Sequence, residues 1–182
     1  MTRFALLLSA VFLSTACQSL TPAPALAPPL VSHLTRQDLV GAWQLLSIQI
    51  DTPAGPRPDP FYGASCSGLL IYDASGWMSV QINAQNRPPL PVPDSRPTPS
   101  EATEAAQLKA AALDSYYAYV GTWTLDESRA AITHHIASAL YPGEGGARYT
   151  QSVALQGTTL TLTVRRVLPS GPVTQTKTWR RL

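Results

Sequence analysis

Leu39-Val40-Gly41-Ala42-Trp43-Gln44-Leu45 marks the point where a Pro-rich segment gives way to the first alternating strand. A glycine two residues ahead of a tryptophan suits the closed end of a small β-barrel. Gly41 lets the chain bend sharply and approach another backbone. Trp43 is large enough to plug the narrow end, and its indole N–H needs a partner there. The expectation is a closed cup for a small molecule, with Trp43 a structural part of its floor.

Outward from this stretch, the pattern is one of short strands and turns. The first strand is read as Trp43 to Ile50, followed by a Pro- and Gly-containing loop over 51–66. Gly68 to Tyr72 and Trp77 to Asn83 form a hairpin about the turn Asp73-Ala74-Ser75-Gly76. A second Pro-rich loop occupies 84–97. Thr98-Pro99-Ser100-Glu101 reads as a capping box with proline at the first helical position, and Ala-rich helix follows to about Tyr117. Five further strands are expected: Tyr119 to Asp126, Ala131 to Leu140, Arg148 to Gln156, Thr159 to Val167 and Val173 to Arg181. Leu160, Leu162 and Val164 alternate with Thr159, Thr161 and Thr163, as in a half-buried strand. Eight short strands fit an up-and-down barrel with room for side chains or one small ligand.

Composition narrows the function. Charged residues are 13% of the 182, about half the usual share. With 13 basic and 11 acidic residues, no basic patch points to nucleic acid. Cys17 and Cys66 are the only cysteines, too few for a disulfide framework or a Cys-based zinc site. No cofactor is implied.

The N-terminus reads as a targeting signal. Arg3 and the apolar run Phe4 to Leu13 have the layout of a secretory leader, too short to span a bilayer. Leu13-Ser14-Thr15-Ala16-Cys17 resembles the lipobox of bacterial lipoproteins, with Ser14 where that motif usually has leucine. The resemblance implies acylation of Cys17 and attachment to a membrane; the other reading is an ordinary signal peptide with Ala16 as the cleavage residue and Cys17 a plain thiol. Gln18 after the cysteine would favour the outer membrane of a Gram-negative cell, facing the periplasm. The organisation expected is a signal peptide over 1–16, a lipidated cysteine and Pro/Ala-rich linker over 17–36, and a barrel domain over 37–182.

An ordered set of segments resembles the lipocalin-like domain family. It comprises Leu39 to Leu45, Leu70-Ile71-Tyr72, Gly76 to Gln81, Tyr116 to Trp123, Thr133-His134-His135 and Trp179-Arg180-Arg181. The resemblance implies an all-β fold: an eight-stranded antiparallel barrel with one helix inserted between strands 3 and 4. It also suggests Arg180 or Arg166 as the arginine that packs on Trp43.

The candidate site residues are His134, Tyr72, Met78, Gln81, Tyr116 and Tyr119. Neighbours in a strand point to opposite faces, so His134 and His135 cannot share one metal. His134 shares its face with Ile132 and Ile136, and in the cavity it would orient a ligand or act as acid or base. Its other reading is a structural histidine bonded to a nearby tyrosine. The aromatic residues, with Met78 and Gln81, read either as pocket lining or as core. Cys66 has no charged neighbour in sequence to activate it and reads as a buried, inert thiol, or as the disulfide partner of Cys17 if that residue carries no lipid. Gly143-Glu144-Gly145-Gly146 reads as a rim loop.

The leading expectation is a monomeric envelope lipoprotein whose barrel binds a small hydrophobic molecule. The alternative is a barrel enzyme that isomerises or cyclises a small apolar substrate, with His134 and Tyr116 or Tyr119 as an acid–base pair. A structural or chaperone-like protein using its outer surface is a third reading.

Overall fold

The computed structural model describes residues 34–90, 99–168 and 171–182. The segment expected to be a signal peptide, Cys17 and the expected capping residue Thr98 lie outside the described residues. One compact unit spans His33–Leu182. Within the segment expected to be linker, Leu34 packs on the core and Arg36 opens the short helix α1 (Arg36–Leu39). The Thr35 N–H and hydroxyl both donate to Asp38, at 2.8 and 2.7 Å, which closes this turn locally.

The strands are β1 (Gly41–Thr52), β2 (Gly55–Pro58), β3 (Ser67–Tyr72), β4 (Trp77–Asn83), β5 (Tyr116–Asp126), β6 (Ala131–Ala139), β7 (Arg148–Gln156), β8 (Thr159–Leu168) and β9 (Gly171–Arg181). Every pairing is antiparallel. β3 to β9 follow one another in order, and β1 closes the ring by pairing β3 on one edge and β9 on the other. Eight strands therefore make the closed barrel. The ninth, β2, folds back on the mouth end of β1, from Gln49↔Pro58 to Thr52↔Gly55. The segment 51–66, expected to be loop throughout, thus contains a strand. Its prolines are tolerated because β2 is an edge strand. The helix α2 (Pro99–Asp114) accordingly lies between β4 and β5, not between strands 3 and 4. Ala112 is its one buried side chain among residues 103–114, so the helix lies on the outside of the barrel.

Two bulges set which side chains face inward. On β1 the register with β9 shifts between Leu45 and Ser47. Trp43 and Leu45 point in before the shift, and Ile48 and Ile50 after it. One extra residue changes the parity of the strand and lets five apolar positions in eight residues serve a two-sided strand. On β5–β6 the shift falls between Val120 and Gly121, leaving Ala137 without a register partner.

Gly121 is required at that second bulge. A Cβ there would sit 1.9 Å from the carbonyl oxygen of His135. The strands cannot part locally without breaking the ladder that carries His134. Gly121→Ala should therefore destabilise the barrel by about 3 kcal/mol, the upper end of overpacking costs. Urea unfolding tests this, and a loss under about 1 kcal/mol would show that the two strands separate freely.

The floor of the barrel is built on Trp43. Its indole N–H donates to the Leu39 carbonyl at 2.9 Å, and the Arg181 guanidinium stacks 4.2 Å from its ring centre. Arg181 also donates to the Val40 carbonyl at 2.9 Å and to the Asp38 carbonyl. The stacking arginine is thus Arg181, not Arg180 or Arg166. Trp179 points inward on β9, so Arg181 shares its face and Arg180 points out, where it donates to Gln44 at 2.6 Å. Gly41 has φ of +135°, and a Cβ there would press on the Arg181 guanidinium at 3.1 Å. A second cation closes the same end: Arg36 stacks 4.2 Å from the centre of Trp123.

Candidate functional site

Above this floor a cavity of about 560 Å³ opens at the end of the barrel away from Trp43. That volume lies within the range of small-molecule sites. Its apolar wall comes from inward positions of β4 and β8, with Val80 and Ile82 facing Leu162 and Val164. Tyr62, Tyr117, Tyr119 and Tyr149 form an aromatic band. Tyr119 packs edge-on against Tyr149, and Tyr117 lies 5.5 Å from Tyr119 between ring centres. At the rim stands a 3-10 turn, Pro142–Glu144, the loop expected at the mouth. Glu144 accepts a hydrogen bond from Tyr117 at 2.9 Å and ties this turn to the wall.

Of the two adjacent histidines, His134 points inward and is fully buried. Tyr72 Oη lies 2.7 Å from its Nε2, and Tyr119 Oη lies 2.8 Å from its Nδ1. A neutral imidazole has one donor and one acceptor nitrogen. Whichever tautomer is present, one tyrosine donates to the ring and the other accepts from it. Burial brings the His134 pKa down to about 3, and the nearby positive charge of Lys177 adds to the effect. Burial also raises the hydroxyl pKa values of Tyr72 and Tyr119 well above the ordinary tyrosine value. The triad is therefore neutral across the physiological range. Both ring nitrogens are already engaged, and no member has a pKa near neutrality, the condition for effective acid–base work. What the arrangement does is fix the Tyr119 ring at the cavity wall. His135 faces outward, 3.2 Å from the Thr124 hydroxyl.

The other expected site residues divide between the two faces. Met78 and Tyr72 point inward but are fully buried below the cavity, beside Trp123 in the case of Tyr72. Gln81 and Tyr116 stand on the outer face, where Tyr116 donates to Gln81 at 3.2 Å and Arg87 stacks on its ring. They are not part of the cavity, because Met78, Val80 and Ile82 fix the inward parity of β4, and Tyr117 and Tyr119 that of β5. Cys66 is buried, and burial pushes its thiol pKa up, which suits an inert side chain.

Sequence reasoning missed a polar row on the inward face of β9. Gln175, Lys177 and Trp179 follow at two-residue spacing and all reach the cavity. Gln175 is buried and donates through Nε2 to the Asp59 carboxylate at 2.5 Å. That carboxylate, also buried, accepts from the Phe61 N–H at 2.9 Å. Lys177 is partly buried and reaches Gln151 Oε1 only at 3.4 Å. Burial, with repulsion from Arg166, lowers its pKa to about 8. The available signal was the spacing itself: counting back in twos from Trp179 places Lys177 and Gln175 inside.

The arrangement is a plugged floor, a neutral Tyr–His–Tyr brace, an apolar and aromatic wall, and a polar row near the mouth. Such a layout is consistent with ligand binding. No curated protein and no solved structure matches the chain. A family model described as a lipocalin-like domain matches residues 40–182, the whole of the barrel from the residue before β1 to the C-terminus. By that match and by its closed antiparallel barrel, the chain belongs to the lipocalin-like domain family.

Proposed function

We propose that this barrel binds a small, largely apolar molecule in its central cavity and carries it as a membrane-tethered monomer. The cavity of about 560 Å³ at the mouth end of the barrel, walled in part by the tyrosine band, is the observation that supports the reading. Binding energy comes from burying apolar surface, at about 25 cal/mol per Å². Orientation comes from the few polar groups on the wall. In the same proposal, acylated Cys17 anchors the chain to the periplasmic side of an outer membrane, and the Pro/Ala-rich segment holds the barrel clear of the surface.

Native mass spectrometry of the protein taken from its own membrane tests both parts. The expected result is an N-terminal acylated cysteine and one retained molecule per chain. Val164→Trp, which fills the cavity from its wall, should release that molecule and leave the acyl mass unchanged. Equal retention by wild type and Val164→Trp would overturn the cavity as the binding site.

A further inference from the structure

The cavity is not uniformly apolar, and its charges are one-sided. Lys177, Arg148, Arg165 and Arg166 stand on its wall and mouth, against Glu144 alone among the lining residues. Glu144 is turned to the hydroxyl of Tyr117. Asp59, a buried carboxylate outside the lining, accepts from Gln175 and the Phe61 N–H, and its charge also acts on Lys177. Among the described residues the Lys177 ammonium has one hydrogen-bond partner, a neutral amide oxygen at the long distance of 3.4 Å. An ammonium carries three donors, so two remain for another acceptor. Lys177 also has two unpartnered polar atoms beside it on the same strand face. Gln175 Oε1 and Trp179 Nε1 are both buried without a hydrogen bond. The Gln175 amide cannot turn over to relieve this, because only its NH₂ side can face the Asp59 carboxylate. The inward face of β9 thus presents a cation with free donors and, beside it, the Trp179 indole N–H, a further donor suited to an anionic acceptor.

We propose that the cavity selects an amphipathic anion, with its charged head on Lys177 and its apolar body against Val80, Ile82 and Leu162. This inference rests on the binding reading above and adds the chemical class of the ligand. The head is a single anionic group, carboxylate or sulfonate in type. Arg165 and Arg166 at the mouth attract it on approach, and Lys177 receives it inside. The lysine is suited to this task because its compact ammonium keeps free donors at the end of a flexible stem. The aromatic band accepts a flat or chain-like body without further polar contacts.

A matched pair of fluorescent dyes tests the idea. 1-Anilinonaphthalene-8-sulfonate and N-phenyl-1-naphthylamine share an aromatic body and differ by one sulfonate. The wild-type barrel should bind the sulfonate dye at least tenfold more tightly than the neutral one. Lys177→Met should weaken the sulfonate dye about tenfold and leave the neutral dye within twofold. Lys177→Arg should recover most of the preference, and circular dichroism should report the native fold in all three proteins. Equal affinity for both dyes, unchanged in Lys177→Met, would overturn the anion preference while leaving the binding reading intact. Failure of the wild type to bind either dye up to its solubility limit would overturn both.

Discussion

Trp43→Ala should destabilise the barrel by about 4 kcal/mol without changing the ligand affinity of the molecules that remain folded. Trp43 is completely buried, and removing so large a side chain from a packed site costs about 3–5 kcal/mol. Two further losses act in the same direction. The Leu39 carbonyl loses its indole donor, and the Arg181 guanidinium loses the ring on which it stacks. Arg181 in turn holds the carbonyls of Asp38 and Val40, so α1 would loosen from the floor. For a domain of this size the loss corresponds to a fall in Tm of roughly 8–16 °C. Trp43→Phe should fall between, since it keeps most of the volume and loses the N–H. Denaturant titration measures the cost, and dye binding well below the transition measures the affinity. A loss under 1 kcal/mol would mean that the floor is held by something other than Trp43. A loss of affinity at unchanged stability would place the ligand against the floor and not in the tyrosine band.

The same stretch shows which parts of the molecule the sequence could reveal. Apolar alternation and Pro/Gly turns are local signals, and the eight barrel strands follow from them. Three features depend on parity between distant strands, and there local signals fail. The bulge after Leu45 is invisible in the run Trp43 to Ile50, because apolar residues occur on both of its faces. The choice among Arg166, Arg180 and Arg181 turns on one residue of register, fixed by the inward Trp179. Gln81 and Tyr116 looked like cavity residues because they sit among aromatics, but each lies one position out of phase with its inward neighbours. The polar row was hidden for a different reason. Thr174 to Thr178 is polar on both faces, so no hydrophobic contrast marks its inner side. The adjacent His134-His135 was legible as an inside–outside pair, and the structure chooses the inside one. Its two tyrosine partners come from β3 and β5, contacts no local pattern encodes.

That buried histidine makes the barrel acid-sensitive in a defined window. In the unfolded chain His134 takes up a proton near its ordinary pKa of 6.5, whereas in the folded barrel it resists protonation down to about 3. Between these values the unfolded state binds more protons, so stability falls as the pH falls. The full stability is present above 6.5, and the slope below it approaches about 1.4 kcal/mol per pH unit. By pH 4 the accumulated loss from this one group is about 3 kcal/mol. Below that, Asp38, Asp73 and Asp126 add to it, since local hydrogen bonds hold their pKa values below the usual range and folding is weakened once they protonate. Structure explains why the imidazole resists. A protonated ring has two donors and no acceptor, so both Tyr72 and Tyr119 would have to accept, leaving a buried hydroxyl proton unpaired. His134→Gln keeps one donor and one acceptor at the end of a side chain of similar reach but cannot titrate. It should be less stable than wild type at pH 7, yet nearly flat between pH 6.5 and 4. Urea unfolding of both proteins at half-unit steps gives the two slopes. A wild-type slope that survives in His134→Gln would move the acid sensitivity to another group. A flat wild-type profile would mean that the Tyr72–His134–Tyr119 brace opens to water and lets the ring charge within the fold.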